Sequence, residues 1–327
     1  MKPWQRLGVL AAGLLAAGAL RLPVEARWSE EMRAAGLLRQ GLQVETKAKI
    51  GQTFYAVALG GLRTLVATFF NLRTIGCYES LDWGKMDEIY QTMVTLAPRT
   101  GEYWIAGAHS QAMNAASYYR NDTFLEMSPL DREANWRAAV LRGREFAEQG
   151  TLNVPDDWKL QAFLGLLLTD RHKYRVFGDP DATFEAAARA YRAGADAPDA
   201  LPFMRRFEMY SLARVESRRG EALELARKLY ADPASRNPLL QKVCFALEVW
   251  ANPTVVDPLA LAVEVFGSEQ RAYRELSQYW LHGGAGLPMN GVAIALAGLE
   301  AKLDVPAAES VLQQSVSRGR DGQDLEE

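Results

Sequence analysis

Between residues 26 and 44 the apolar side chains Trp28, Met32, Ala35, Leu38 and Leu42 recur at steps of three and four, with Glu30, Glu31, Arg33 and Arg39 between them. That spacing predicts an amphipathic helix with one buried face. A longer apolar run follows over residues 54–72, but Gly60, Gly61, Arg63 and Asn71 interrupt it. A charge at mid-bilayer is costly, so the run is expected to be a buried helix with Arg63 paired to a carboxylate rather than a membrane span.

The next apolar stretch ends at Leu96-Ala97-Pro98, and the pattern restarts on Tyr103-Trp104-Ile105-Ala106-Gly107-Ala108. A helix stopped by proline and resumed on an aromatic and small residues is the expected seam between two stacked helical hairpins. The tetratricopeptide spacing laid over residues 67–100 puts Phe70 at the first aromatic position, Met86, Tyr90 and Met93 on the second helix, and Pro98 at the closing turn. A second unit from Gly101 places Trp104 and Ala108, and a third from Trp158 places Leu164-Gly165. Small residues at these positions let paired helices approach, while aromatics fill the gap to the next pair. The repeats are irregular: a polar loop intrudes over residues 119–131, and residues 175–181 lengthen the third hairpin beyond the 34-residue period. Another kind of helical hairpin array fits the same pattern.

Further on, residues 182–193 read as an Ala-rich helix, residues 203–218 and 221–230 as a hairpin closed by Asp232-Pro233, and residues 238–250, 258–266 and 268–281 as further helices. A Gly-rich turn over residues 282–286 precedes helices over 289–303 and 307–316. No stretch alternates as a strand would. The expected fold is all-α: an α-solenoid of tetratricopeptide-like hairpins with an N-terminal membrane or signal helix. The expected organisation is a signal or anchor segment over 1–24, a repeat domain over 25–205, further hairpins or a capping region over 206–316, and a polar, disordered tail over 317–327.

Lys2 and Arg6 precede 14 uncharged apolar residues, 7–20, which reach about 21 Å as a helix, short of the roughly 30 Å hydrocarbon core. This is the pattern of an export signal. Cleavage after Ala17-Gly18-Ala19 or Val24-Glu25-Ala26 competes with retention as a short anchor. The body is then expected on the extracytoplasmic side of the inner membrane, tethered or released.

Composition changes this picture little. A net charge of −3, with basic and acidic residues interleaved, argues against nucleic-acid binding. Cys77 and Cys244 are too far apart for a metal motif and read as buried small hydrophobes, with one long-range disulfide as the alternative in an oxidising compartment.

The residues Gly60-Gly61-Leu62-Arg63, Asn71-Leu72-Arg73, Leu96-Ala97-Pro98, Trp104, Ala108 and Asn114-Ala115, extended by Leu164-Gly165, His172-Lys173, the helix over 184–191 and Ala197-Pro198, resemble a group of bacterial membrane-anchored tetratricopeptide-like proteins. The resemblance covers roughly residues 50–205. It implies a short membrane anchor carrying a helical repeat body outside the cytoplasm, and it brings no catalytic residues. Gly107 departs from the group's usual large residue, and the chain beyond about residue 205 lies outside the resemblance.

No nucleotide-binding, hydrolase, zinc-protease or EF-hand motif occurs. His109, His172 and His282 are spaced too widely to suggest a metal site. Asp156-Asp157 and Asp179-Pro180-Asp181 stand where aspartate caps a helix, although the same carboxylates could face a cation. No cofactor is expected. The predicted partner-binding groove combines Asn71, Tyr78 and Glu79 from one hairpin with Glu102, His109 and Met113 from the next, a mixture suited to an extended peptide or a helix. The expected role is therefore a non-enzymatic, membrane-tethered scaffold that binds envelope proteins. Alternatives are a component of an export or pilus-like apparatus and, from another class, a small-ligand or enzymatic protein with a site among Asp156, Asp157, His172 and Asp179.

Overall fold

The computed structural model describes residues 63–121, 125–283 and 286–314. The anchor segment, the helix expected over 26–44, most of the first half of the 54–72 run, the side chain of Arg63 and the polar tail lie outside the described positions. All regular structure among the described residues is helical. None of these helices is long and apolar enough to cross a membrane.

The chain divides into two compact units, Met1–Val154 and Pro155–Glu327. In the first, α1 (Arg63–Glu79) packs on α2 (Trp83–Leu96), and α2 on α3 (Gly101–His109). α3 continues through a π-helical segment, Ser110–Ala115, into α4 (Ala116–Asn121), and all three lie against the long helix α5 (Pro129–Asn153). The seam at Pro98 is tied by the Trp104 indole, whose Nε1 donates to the Pro98 carbonyl at 2.8 Å. Met86, Tyr90, Met93, Trp104 and Ala108 are all buried, whereas Phe70, expected at the first aromatic position, is half-buried. Gly107 has a local explanation: a Cβ there would lie 3.0 Å from the Phe146 ring and 3.2 Å from Tyr90 Cβ, so α5 supplies the bulk that position 107 lacks.

α5 is the element the hydrophobic pattern did not reveal. Its buried stripe of Trp136, Ala139, Val140, Gly143, Phe146, Ala147 and Gly150 is made largely of small residues, and it is interleaved with arginines and glutamates. Arg142 ties it to α2, with Nε 2.7 Å from Asp87 and Nη2 2.9 Å from Gln91.

In the second unit α6 (Trp158–Thr169), α7 (Pro180–Ala195), α8 (Phe203–Ala213), α9 (Arg219–Ala231) and α10 (Pro238–Ala251) each pack on the next. α11 (Pro258–Phe266), α12 (Glu269–His282) and α13 (Asn290–Lys302) pack on one another and on α10. The predicted helices over 182–193, 238–250 and 258–266 match closely. The stretch expected as one helix over 203–218 breaks after Ala213 into a 3-10 turn, Glu216–Arg218. The helix expected over 307–316 is a 3-10 turn, Ala307–Glu309, followed by one helical turn at 311–314.

The starts follow directly from sequence. Asp179, Asn237 and Asp257 each precede a proline, and each side chain accepts from a free backbone N–H of the helix it opens. Gly165, in the predicted Leu-Gly pair, faces the Tyr191 ring at 2.6 Å from a built Cβ, so only glycine lets α6 and α7 meet there. Around α7 and α8 the buried Glu208 carboxylate accepts from Arg192 Nε at 2.6 Å and Arg205 Nη1 at 2.8 Å, which offsets the cost of taking it out of water.

Candidate functional site

The six predicted groove residues occupy α1, α3 and the π-segment, each of which packs on α2. Asn71, Tyr78 and Glu79 lie on the exposed side of α1, where the Tyr78 ring meets Trp83 edge-on at 5.7 Å. Glu102 and His109 lie one heptad apart on the exposed side of α3, and Met113 is half-buried in the π-segment. Each trio is thus gathered on its own surface. Beside Asn71 and Tyr78, α1 also exposes Phe69, Leu72 and Ile75, so an apolar ribbon winds along this helix.

One aspartate of each pair caps a helix. Asp157 accepts from Lys159 N at 3.0 Å, and Asp179 accepts from Ala182 N at 2.9 Å. His172 Nε2 accepts from Arg171 Nε at 2.8 Å. Among the described residues no three His, Cys, Asp or Glu side chains are grouped to hold a metal ion. Both thiols are free, Cys77 buried and Cys244 half-buried, and burial pushes Cys244 up to about 11.

A more enclosed feature lies in the second unit, a cavity of about 470 Å³, within the roughly 300–1,000 Å³ range of small-molecule pockets. One wall comes from α8, which contributes Phe207, Tyr210 and Ser211, with Arg214 at its C-terminal cap. α10 contributes Leu239, Lys242 and Val243, and α12 contributes Gln278, Tyr279 and His282. Thr169 at the end of α6 and Leu287 complete the lining. Gly286 makes the approach of that last segment possible. Its φ is +82°, its carbonyl accepts from Arg219 Nη2 at 2.9 Å, and a Cβ would stand 2.6 Å from the Arg214 carbonyl oxygen.

The polar groups of the cavity are unequally satisfied. Lys242 Nζ donates to Gln278 at 3.3 Å and lies 2.9 Å from Glu275, and its bond to that carboxyl chiefly holds Glu275 below the usual carboxylate range. The Tyr210 hydroxyl donates to Asn237 at 3.2 Å. Arg214 differs: its guanidinium carbon sits 5.0 Å from the Phe184 ring centre, its Nη1 is buried without a hydrogen-bond partner, and no described carboxylate pairs with it. Burial lowers its pKa, but a guanidinium keeps its charge at neutral pH. The Tyr279 hydroxyl is also buried and unpartnered, in a side chain only 3% exposed, and burial pushes its pKa up.

Arg214 and Tyr279 escaped the sequence reading. The available signal was slight: an arginine closing the otherwise buried run 208–215, and a tyrosine in line with Ala272 and Leu276. The lining itself joins positions more than a hundred residues apart, from Thr169 to Leu287.

Comparison with protein-family models, curated proteins and solved structures finds no match for this chain.

Proposed function

We propose that the protein is a non-catalytic scaffold of the bacterial cell envelope, a tetratricopeptide-like solenoid held at the inner membrane by residues 1–24 with its body on the extracytoplasmic side. Two features support the solenoid: helices that pack mainly on their neighbours in the chain, and close approaches at Gly107 and Gly165. The binding role rests on one observation, the exposed ribbon of α1. Phe69, Leu72, Ile75 and Tyr78 are each more than half exposed, and they extend over about 14 Å of helix. A contiguous apolar patch of this kind, flanked by Asn71 and Glu79, suits the apolar face of a helix from a protein partner.

The test is a photo-crosslinking residue at Ile75 in the full-length chain, expressed in its own cells. The expected result is a discrete crosslink to one envelope protein, lost when Leu72 and Tyr78 are both replaced by glutamate, with the chain in the membrane fraction only when residues 1–24 are present. Crosslinks confined to the chain's own residues 1–62 would show an intramolecular cover and overturn the docking role.

A further inference from the structure

We infer that the cavity of the second unit binds a small organic monocarboxylate, whose carboxylate meets the Arg214 guanidinium and whose apolar body lies along Phe207, Leu239, Val243 and Leu287. This site is independent of the docking face proposed on α1, since every residue it uses belongs to the other unit.

The sign of the ligand follows from the charge balance. No aspartate or glutamate lines the cavity, and the Lys242 charge is already matched by Glu275 at 2.9 Å. Arg214 is left with a charge that nothing in the described chain offsets. A guanidinium held against an aromatic ring, in a low-dielectric wall and without a counter-ion, is an expensive arrangement for stability alone and a prepared one for an anion. Its fork matches the two oxygens of a carboxylate.

Tyr279 lines the same cavity, with its hydroxyl buried out of contact with solvent. Lys242, which keeps its partners, serves as a fixed wall.

The valence and shape follow next. One uncompensated cation matches a monoanion; a phosphate dianion would leave a charge unmatched. Phe207, Leu239, Val243 and Leu287 offer apolar surface that an inorganic anion cannot use, whereas an acid with a hydrocarbon body covers it.

The experiment is calorimetric titration of the full-length protein at neutral pH with sodium octanoate, 1-octanol and inorganic phosphate. Octanoate is expected to bind one to one, at least tenfold more tightly than either control. Arg214→Gln should weaken octanoate at least tenfold and remove its preference over octanol. Leu239→Trp, at a position 45% exposed and tolerant of change, should block octanoate while leaving the fold and Arg214 in place. Equal binding of octanoate and octanol, tighter binding of phosphate, or unchanged octanoate affinity in the Leu239→Trp variant would overturn the assignment.

Discussion

Replacing Gly143 by alanine should destabilise the first unit, although alanine is the better helix former. Gly143 lies inside α5 where it crosses the π-segment. A Cβ built there stands 2.4 Å from Ala112 Cβ, 2.7 Å from the Ala108 carbonyl oxygen and 2.7 Å from Ala112 N. Carbon atoms in good contact sit about 3.5–4.0 Å apart, so the helices must separate by on the order of 1 Å. Two of the three obstructing atoms are backbone and cannot rotate away. Overpacking of this kind costs about 1–3 kcal/mol, against a propensity gain of about 1 kcal/mol for Gly to Ala in a helix. Gly76 in α1 is the internal control: it lies in the same unit, also within a helix, and a Cβ there meets nothing within 4 Å. Gly76→Ala should stabilise by about 0.5–1 kcal/mol. The contrast between the two variants, about 2 kcal/mol, isolates the steric term because the propensity gain is common to both. Urea unfolding followed by tryptophan fluorescence measures it, since Trp83, Trp104 and Trp136 are all buried in this unit. Two variants that shift the midpoint in the same direction by similar amounts would refute the close crossing of α5 over the π-segment.

The other predictions concern the second unit. Glu208→Ala should cost about 1–2 kcal/mol in chemical unfolding: the buried acceptor is lost, but Arg192 keeps Glu221, Arg205 keeps Asp196, and the two arginines are 44% and 37% exposed, so the loss is partly recovered. Arg214→Met should raise the ligand-free melting temperature, by about 1 kcal/mol of stability, because it removes an unpaired charge from the cavity wall; a clear fall would mean that Arg214 is needed structurally. Stability should decline at alkaline pH. Cys244 and Tyr191 are pushed up to about 11 and about 12 from ordinary values of 9.0 and 10.0, so the folded state favours their protonated forms. Their contribution is complete below pH 9, falls as pH rises through 9–12, and reaches at most about 1.4 kcal/mol per pH unit for each group; a flat stability profile over that window would contradict the burial of both. By the same reasoning Cys244 should react slowly with alkylating reagents at pH 8, where little thiolate exists.

What the residues determine by themselves is local. Asp-Pro and Asn-Pro pairs set helix starts at positions 180, 238 and 258, because a short acceptor side chain and a fixed φ act within one turn of the chain. Three- and four-residue spacing exposes Met86, Tyr90 and Met93 as a buried face, and Gly165 announces a tight crossing before its partner is known. The same local rules overlook α5, whose buried stripe is of small residues that carry little hydrophobic signal. They overlook the π-segment as well, because nothing in Ser110–Ala115 departs from an ordinary helix composition. The predicted groove residues are likewise legible only as two surfaces, one on α1 and one on α3 with the π-segment. The cavity was decided wholly by tertiary structure. Arg214 is unremarked at the end of a helix until packing brings α10, α12 and Leu287 around it and leaves no carboxylate within reach. Helix propensity and capping are interactions among neighbours in sequence, whereas desolvation and charge matching depend on which distant side chains share a volume, and only the folded chain fixes that.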